Sequence, residues 1–260
     1  MIEGKVYKWI QKRIAEDGGL TFLQLDPPKF ELKDIPALAK TAEENGLDAF
    51  AVGGSVGAQG ELLDKTILAL KENSSLPVIL FPGNIATLSK HADAIYFMSM
   101  LNSLDPYWIT GAQTASSLPI KKMGLEVIPT SYIIVEPGRA VGWIGRAKAI
   151  PRELPYLGAI TALAGQFMGS KLIILESGGG APSPAPEEMV KQTKKLVGIP
   201  LLVAGGVRNE KFAYDTIKAG ADIIHVGTAI EDAALGGKQK MAETFKKLTS
   251  AVKKAGKEKK

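Results

Sequence analysis

A lone carboxylate at the end of a short apolar run, followed at once by glycines, is the arrangement in this chain best suited to chemistry. Residues 171–182 read KLIILESGGGAP. The run 172–175 is too short for a helix and is bounded by turn residues, so it reads as a buried parallel strand. It delivers Glu176 into a loop of Ser177, Gly178, Gly179 and Gly180, ahead of a helical stretch over 186–197. Glycines let backbone N–H groups approach an anion, and a helix N-terminus adds a favourable dipole. Two further apolar runs end in the same way, at Gly205-Gly206 and at Gly227-Thr228. Three such ends together point to a phosphate site, whereas one alone would be an ordinary tight turn. Earlier in the chain, two runs end at Asp26 and at Ser55. A carboxylate with a hydroxyl suits magnesium, which keeps several waters and takes its other ligands from a diphosphate. Lys29, Asn84 and Arg139 are candidates for contact with a second anion.

The elements that must carry these residues follow from the pattern. Strands are expected over 20–25, 48–52, 77–81, 94–100, 126–135, 172–176, 200–204 and 222–226. Helices are expected over 35–45, 60–72, 106–123, 154–169, 186–197, 209–219 and 239–254, with 138–152 a loop rich in glycine and positive charge. Only 85–93 separates the third strand's turn from the fourth strand, so the third helix is shortened or absent, opening one side of the array. Strands alternating with helices, with polar and glycine residues recurring after each strand, predict one closed (β/α)8 TIM-type barrel over 1–260. A doubly wound sheet is the alternative. In a barrel, the loops after strands seven and eight often hold a phosphate.

Composition narrows the function classes. The chain has 260 residues, 45% of them hydrophobic, no cysteine and a net charge of +5. The missing cysteines exclude disulfides and thiolate chemistry. No stretch has the length of a signal-peptide core or a membrane span, so a cytoplasmic protein is expected. The excess charge gathers at the end, in Lys246, Lys247, Lys253, Lys254, Lys257, Lys259 and Lys260. Such a tail could meet an anionic membrane surface, or be a solvated last helix. No basic stripe with interleaved aromatics is present, which argues against nucleic acid. Of the two histidines, His91 is expected at the surface and His225 packed in a strand without metal-ligand company.

The ordered set LQLDPPK, VGGS, ILFPGN, YFMSMLNS, PYWITGAQ, EVIPTSYIIVEPG, VGWIGRA, ILESGGGAP, VAGGVR and GADIIHVGTAIED resembles the geranylgeranylglyceryl phosphate synthase family and the related heptaprenylglyceryl phosphate synthases, over about residues 23–232. FMSMLNS, PYWITGAQ and VGWIGRA are similar to the archaeal, hexamer-forming branch. The resemblance implies a modified TIM barrel lacking its third helix. It implies a magnesium-dependent prenyltransferase (EC 2.5.1.41) joining geranylgeranyl diphosphate to the C3 hydroxyl of sn-glycerol 1-phosphate in ether-lipid synthesis. It implies Asp26 and Ser55 as magnesium ligands, with Glu176 as the base. Glycerol phosphate would be bound by Leu175, Glu176, Ser177, Gly178, Gly179, Gly180, Ala181, Gly205, Gly206, Gly227 and Thr228. It also implies a homo-oligomer, and leaves room for a peripheral membrane contact at product release. Ile174 and Gly179 stand where the family usually has Tyr and Ser, and isoleucine cannot donate the hydrogen bond that the tyrosine offers. Another prenyl length, another phosphate-binding barrel enzyme and a non-catalytic phosphate sensor are the competing readings. The flank left by the missing third helix and the small residues Gly158, Ala159, Ala162, Ala164 and Gly165 are candidate walls of a prenyl channel; the small residues could equally mark close helix packing. Trp143 is an interface anchor, or packs on its own barrel.

Overall fold

The structure is a computed structural model that describes residues 4–259, so Lys260 and residues 1–3 lie outside the described residues. Eight parallel strands close on themselves in chain order: β1 (Leu20–Leu25), β2 (Ala49–Gly54), β3 (Val78–Pro82), β4 (Ala94–Met100), β5 (Glu126–Ile134), β6 (Leu172–Glu176), β7 (Leu201–Ala204) and β8 (Ile223–Val226), with β8 pairing back onto β1. The expected barrel is therefore present. Alternation along each strand sorts the core into two sets. Phe22, Ala51, Ile79, Tyr96, Tyr132, Ile174 and Leu202 fill the barrel interior. Leu23, Val52, Leu80, Ile133, Leu175 and Val203 face outward against the helices.

The outer layer contains α2 (Ile35–Glu44), α3 (Gly60–Asn73), α4 (Ala112–Met123), α6 (Pro155–Phe167), α7 (Glu187–Leu196), α8 (Glu210–Lys218) and α10 (Lys238–Lys259). No helix is assigned between β3 and β4, as the short connection predicts. β4 consequently leaves Phe97, Met98 and Ser99 only partly covered. A π-helical turn, Tyr107–Gly111, precedes α4.

Three elements differ from the sequence expectation. The 138–152 loop contains a short helix, α5 (Arg139–Ile144), and an unforeseen helix, α9 (Thr228–Leu235), starts directly after β8. α10 continues to Lys259 rather than stopping near 254, with Phe245, Leu248, Val252 and Ala255 buried. Its lysines do not form a solvated tail throughout. Lys253 pairs with Asp17 and Asp48, and Lys259 pairs with Asp222. The N-terminal helix α1 (Lys5–Asp17) closes the lower end of the barrel, where Val6, Tyr7 and Ile10 are buried. The Tyr7 hydroxyl donates to the Lys171 carbonyl at 2.9 Å.

Candidate active site

Period-two alternation fixes which end residues enter the barrel mouth. On β6, Leu172, Ile174 and Glu176 share the inner face, so the Leu175 side chain points the other way and is buried among the outer apolar residues. Leu175 therefore cannot bind substrate through its side chain. Glu176 is 3% exposed. Its Oε1 accepts the Gly178 N–H at 2.6 Å, and its Oε2 accepts the Tyr132 hydroxyl at 3.2 Å. Burial pushes its pKa up to about 7. The Gly178 and Tyr132 hydrogen bonds pull against this, and the Asp26 charge adds to the rise. The Tyr132 hydroxyl is held well above its ordinary value, first by burial and then by the Glu176 charge, so it stays a donor.

The glycines around Glu176 have steric reasons. Gly205 has φ +75°, and a Cβ there would collide with Glu176 Oε1 and lie 2.5 Å from the Gly178 nitrogen. Gly206 closes against Ser183, and a Cβ on Gly178 would lie 2.6 Å from the Arg139 Cβ. Gly178, Gly205 and Gly206 thus interlock the β5, β6 and β7 loops. Gly179, by contrast, has open space where a side chain would go. A serine would fit there, so the departure from the family's residue leaves room rather than forming a contact. Ser177 and Ala181 are fully buried, and Ser177 Oγ has no hydrogen-bond partner among the described residues. Ile174 is fully buried beside Tyr132, its register partner on β5.

One cavity of about 350 Å³ joins the mouth to the flank. Asp26, Ser55, Glu176, Gly179, Gly227 and Thr228 line its polar end, with Lys29 and Asn84. The apolar arm passes Ile85, Leu88, Ile95, Phe97, Trp108 and Ile120, over the side of the barrel that lacks a helix. None of Gly158, Ala159, Ala162, Ala164 and Gly165 lines it. A Cβ on Gly158 would meet Met189, and one on Gly165 would meet Ser131 and Leu101, so the small residues of α6 serve close packing. Leu175, Ser177, Gly178, Gly180, Ala181, Gly205 and Gly206 lie in or beneath the loops rather than in the cavity lining. Arg139, exposed on α5, reaches over the β6 loop, with Nη2 3.9 Å from where a Gly180 Cβ would stand.

Asp26 is held from two sides: Gln24 Nε2 donates to Oδ1 at 2.9 Å, and Lys29 Nζ lies 3.0 Å from Oδ2. Lys29 also donates to both oxygens of Glu231, at 2.9 and 3.0 Å. Burial works to lower the Lys29 pKa, but the hydrogen bond to Glu231 and the Asp26 charge outweigh it and leave the pKa raised. Among the described residues, no group of three or more His, Cys, Asp or Glu could hold a metal alone. The donor set nevertheless fits a cation brought with an anionic substrate. The cavity lining carries Asp26 and Glu231, joined by Glu176 once it is ionised, against one ammonium, Lys29. A diphosphate meets repulsion there unless a divalent cation comes with it, and magnesium needs only one or two protein carboxylates. Gly54 keeps the space beside Asp26 clear, since a Cβ there would lie 2.8 Å from Oδ1.

His225 lies beneath the site within hydrogen-bond reach of the Tyr96 hydroxyl, at 3.3 Å, and burial pushes it down to about 3. It is a packed neutral residue, as expected, and His91 is part-exposed. Sequence reasoning missed Tyr132, Gln24 and Glu231. Of the two channel walls it offered, the flank left open by the missing third helix holds the apolar arm, and α6 does not. The signal for Tyr132 was its place on an inward position of β5, level with Ile174.

A family model described as the PcrB family matches residues 8–249. The geranylgeranylglyceryl phosphate synthase of Thermococcus kodakarensis is 49% identical over 250 residues, covering 96% of this chain and 98% of that protein. That of Pyrococcus horikoshii is 51% identical over 230 residues, covering 88% and 90%. The crystal structure of (S)-3-O-geranylgeranylglyceryl phosphate synthase from Thermoplasma acidophilum, in complex with its substrate sn-glycerol-1-phosphate, superposes with a TM-score of 0.90 at 32% identity, over 96% of this chain and 98% of that one.

Proposed function

The chain belongs to the PcrB family, and from that premise we propose that it joins C1 of geranylgeranyl diphosphate to the C3 hydroxyl of sn-glycerol 1-phosphate. The prenyltransferase class comes from relatives that match nearly the whole chain. The choice of substrates rests on the site. The observation that carries it is Glu176: a buried carboxyl with a pKa near 7 and only neutral donors, where a glycine-lined anion site meets an apolar arm.

The glycerol phosphate group fits between the β6 loop, Gly227 and Thr228 at the start of α9, with Arg139 above. Its C3 hydroxyl then faces Glu176. The prenyl chain fits the arm over β4. Asp26, with Ser55, would hold magnesium, and when bound the cation neutralises the leaving diphosphate. The C1–O bond to diphosphate breaks, the bond from C1 to the glycerol oxygen forms, and Glu176 takes the hydroxyl proton. Gly178 N–H and Tyr132 keep the carboxylate aimed while it gains and loses that proton.

On this reading kcat/KM rises with pH until Glu176 is ionised, near pH 7, and then levels. Incubation with glycerol phosphate, magnesium and a ladder of prenyl diphosphates, with mass measurement of the product, tests it. A C20 ether product, made only with divalent cation, supports the reading. Absence of any ether product contradicts it, and a different preferred length would make the chain a related prenylglyceryl phosphate synthase.

The same reading expects a cytoplasmic protein, and leaves room for a peripheral membrane contact at product release. Among the described residues no helix is long and apolar enough to cross a membrane. Trp143 is 84% exposed on α5, which supports a homo-oligomer, a hexamer by resemblance. Light scattering on Trp143→Ala should then give smaller particles with an unchanged far-UV spectrum.

A further inference from the structure

Lys29 is the one ammonium among the described residues lining the cavity, and it is shared between two acids. Its three protons face Asp26 at 3.0 Å and the two oxygens of Glu231 at 2.9 and 3.0 Å. The two acids differ in what else they hold. Asp26 has Gln24 on its other oxygen, with clear space beside it at Gly54. Glu231 sits in the first turn of α9, which follows the Gly227-Thr228 loop, and grips Lys29 with both oxygens. An ammonium and a divalent cation cannot both sit on Asp26 without strong like-charge repulsion. One of them must have another place to go, and Glu231 is that place.

We propose that Glu231 is a positioning residue: it anchors Lys29 as the ammonium that meets the donor's diphosphate, and keeps it from competing with the divalent cation for Asp26. This rests on the reading of the site given above. In the donor-free site Lys29 bridges both acids. When cation and diphosphate arrive, Lys29 leaves Asp26, stays on Glu231 and turns its freed proton to a diphosphate oxygen. No bond is made or broken; one ammonium exchanges one of its acceptors.

The proposal predicts effects of opposite sign for the two partners. In Glu231→Gln the ammonium falls back on Asp26, so manganese, used as a paramagnetic stand-in, should bind about tenfold more weakly, within the range for coupled contacting charges. In Lys29→Met, Asp26 loses its competitor. Manganese alone should then bind more tightly, while manganese with inorganic diphosphate should bind more weakly. The decisive comparison is Glu231→Gln made in the Lys29→Met background, where it should change manganese affinity less than about twofold. In turnover, Glu231→Gln should raise the KM of the prenyl donor about tenfold while kcat and the KM of glycerol phosphate stay within about threefold.

Electron paramagnetic resonance titration of the four proteins with manganese, with and without inorganic diphosphate, reads these numbers without turnover. Equal weakening by Glu231→Gln in both backgrounds would mean that Glu231 acts on the cation directly, and would overturn the proposal. No change in either background overturns it as well. If the wild-type protein binds neither manganese nor its diphosphate, the reading of the site itself fails, a result distinct from the other two.

Discussion

The two ends of the barrel bury carboxylates to the same depth and use them in opposite ways. Asp48 and Asp222 at the lower end and Glu176 at the mouth are each 3% exposed. Below, Asp48 meets Arg13 at 3.1 Å and Lys253 at 2.9 Å, and accepts the Thr21 N–H at 2.8 Å. Asp222 meets Lys194 at 2.6 Å and Lys259 at 3.1 Å, and accepts the Leu201 N–H at 2.9 Å. Each acid sits just before one strand and accepts a hydrogen bond from a backbone N–H of the adjacent strand, so it ties neighbours together while α10 supplies a cation. Above, Glu176 has Gly178 N–H and Tyr132 O–H and no ion pair. Burial is the same; the partners differ. A buried acid between cations is a structural tie, and one left with neutral donors near pKa 7 is ready to take a proton.

Four substitutions sharpen the contrast. Asp222→Ala strands two lysines at the lower end and should cost about 3–5 kcal/mol. Denaturant unfolding should show that loss, with kcat unchanged at a temperature where the variant is folded. Glu176→Gln should act on stability with the other sign. Glu176 has a folded pKa of about 7 against an ordinary 4.5. Below pH 4.5 it is protonated folded or unfolded and costs nothing. Between 4.5 and 7 the unfolded chain releases the proton that the folded chain retains, so wild-type stability falls as pH rises, by about 3 kcal/mol at pH 7 and above. Glutamine removes this dependence. Its stability gain should be largest at pH 8 and vanish near pH 4, and equal melting curves at pH 8 would contradict it. The smallest effect concerns the flank. Ser116, buried on α4, also lines the cavity; Ser116→Phe should shift the donor ratio toward C15 over C20 by about tenfold, the size of one or two lost apolar contacts. Ala162→Phe on α6 should lower stability and leave that ratio alone. Equal ratios in both variants would remove the arm as the prenyl site.

Much of this arrangement was legible in the sequence where the signal is local. The run 172–175 followed by an acid specifies the strand and places Glu176 at its end; which face Glu176 takes was not legible, because the run is apolar at every position and only the folded barrel puts Leu172 and Ile174 inside. The nine residues of 85–93 announced the missing helix by their number alone. Short helices escaped notice. The six residues of α5 lie between Gly138 and Gly145 with Gly142 inside, and the eight residues of α9 lie between Gly227 and Gly236, so neither shows a helical stripe long enough to count. Partnerships across the barrel were out of reach. Tyr132 meets Glu176 only because β5 and β6 pair in one register, with Tyr132 opposite Ile174. Lys253 and Asp48 are 205 residues apart, so the C-terminal lysines read as a basic tail until the helix is folded onto the barrel base. Of the two channel walls, the flank without a helix was legible and the wall on α6 was misread, for a similar cause. Small residues on α6 permit a cavity or close packing equally well, and only the neighbouring Met189 and Ser131 decide between them.

The central claim is that neutral partners make Glu176 the proton acceptor, and Glu176→Gln tests it on one sample by two methods. Glutamine keeps the shape and can still accept the Gly178 N–H, but cannot take a proton near neutral pH. Single-turnover kinetics with both substrates bound should show a fall of about 100-fold or more. Titration calorimetry should find the Kd of glycerol phosphate changed by less than about threefold, since an amide still meets the hydroxyl. A weakened Kd with a single-turnover rate within about tenfold of wild type would make Glu176 a binding group and contradict the account.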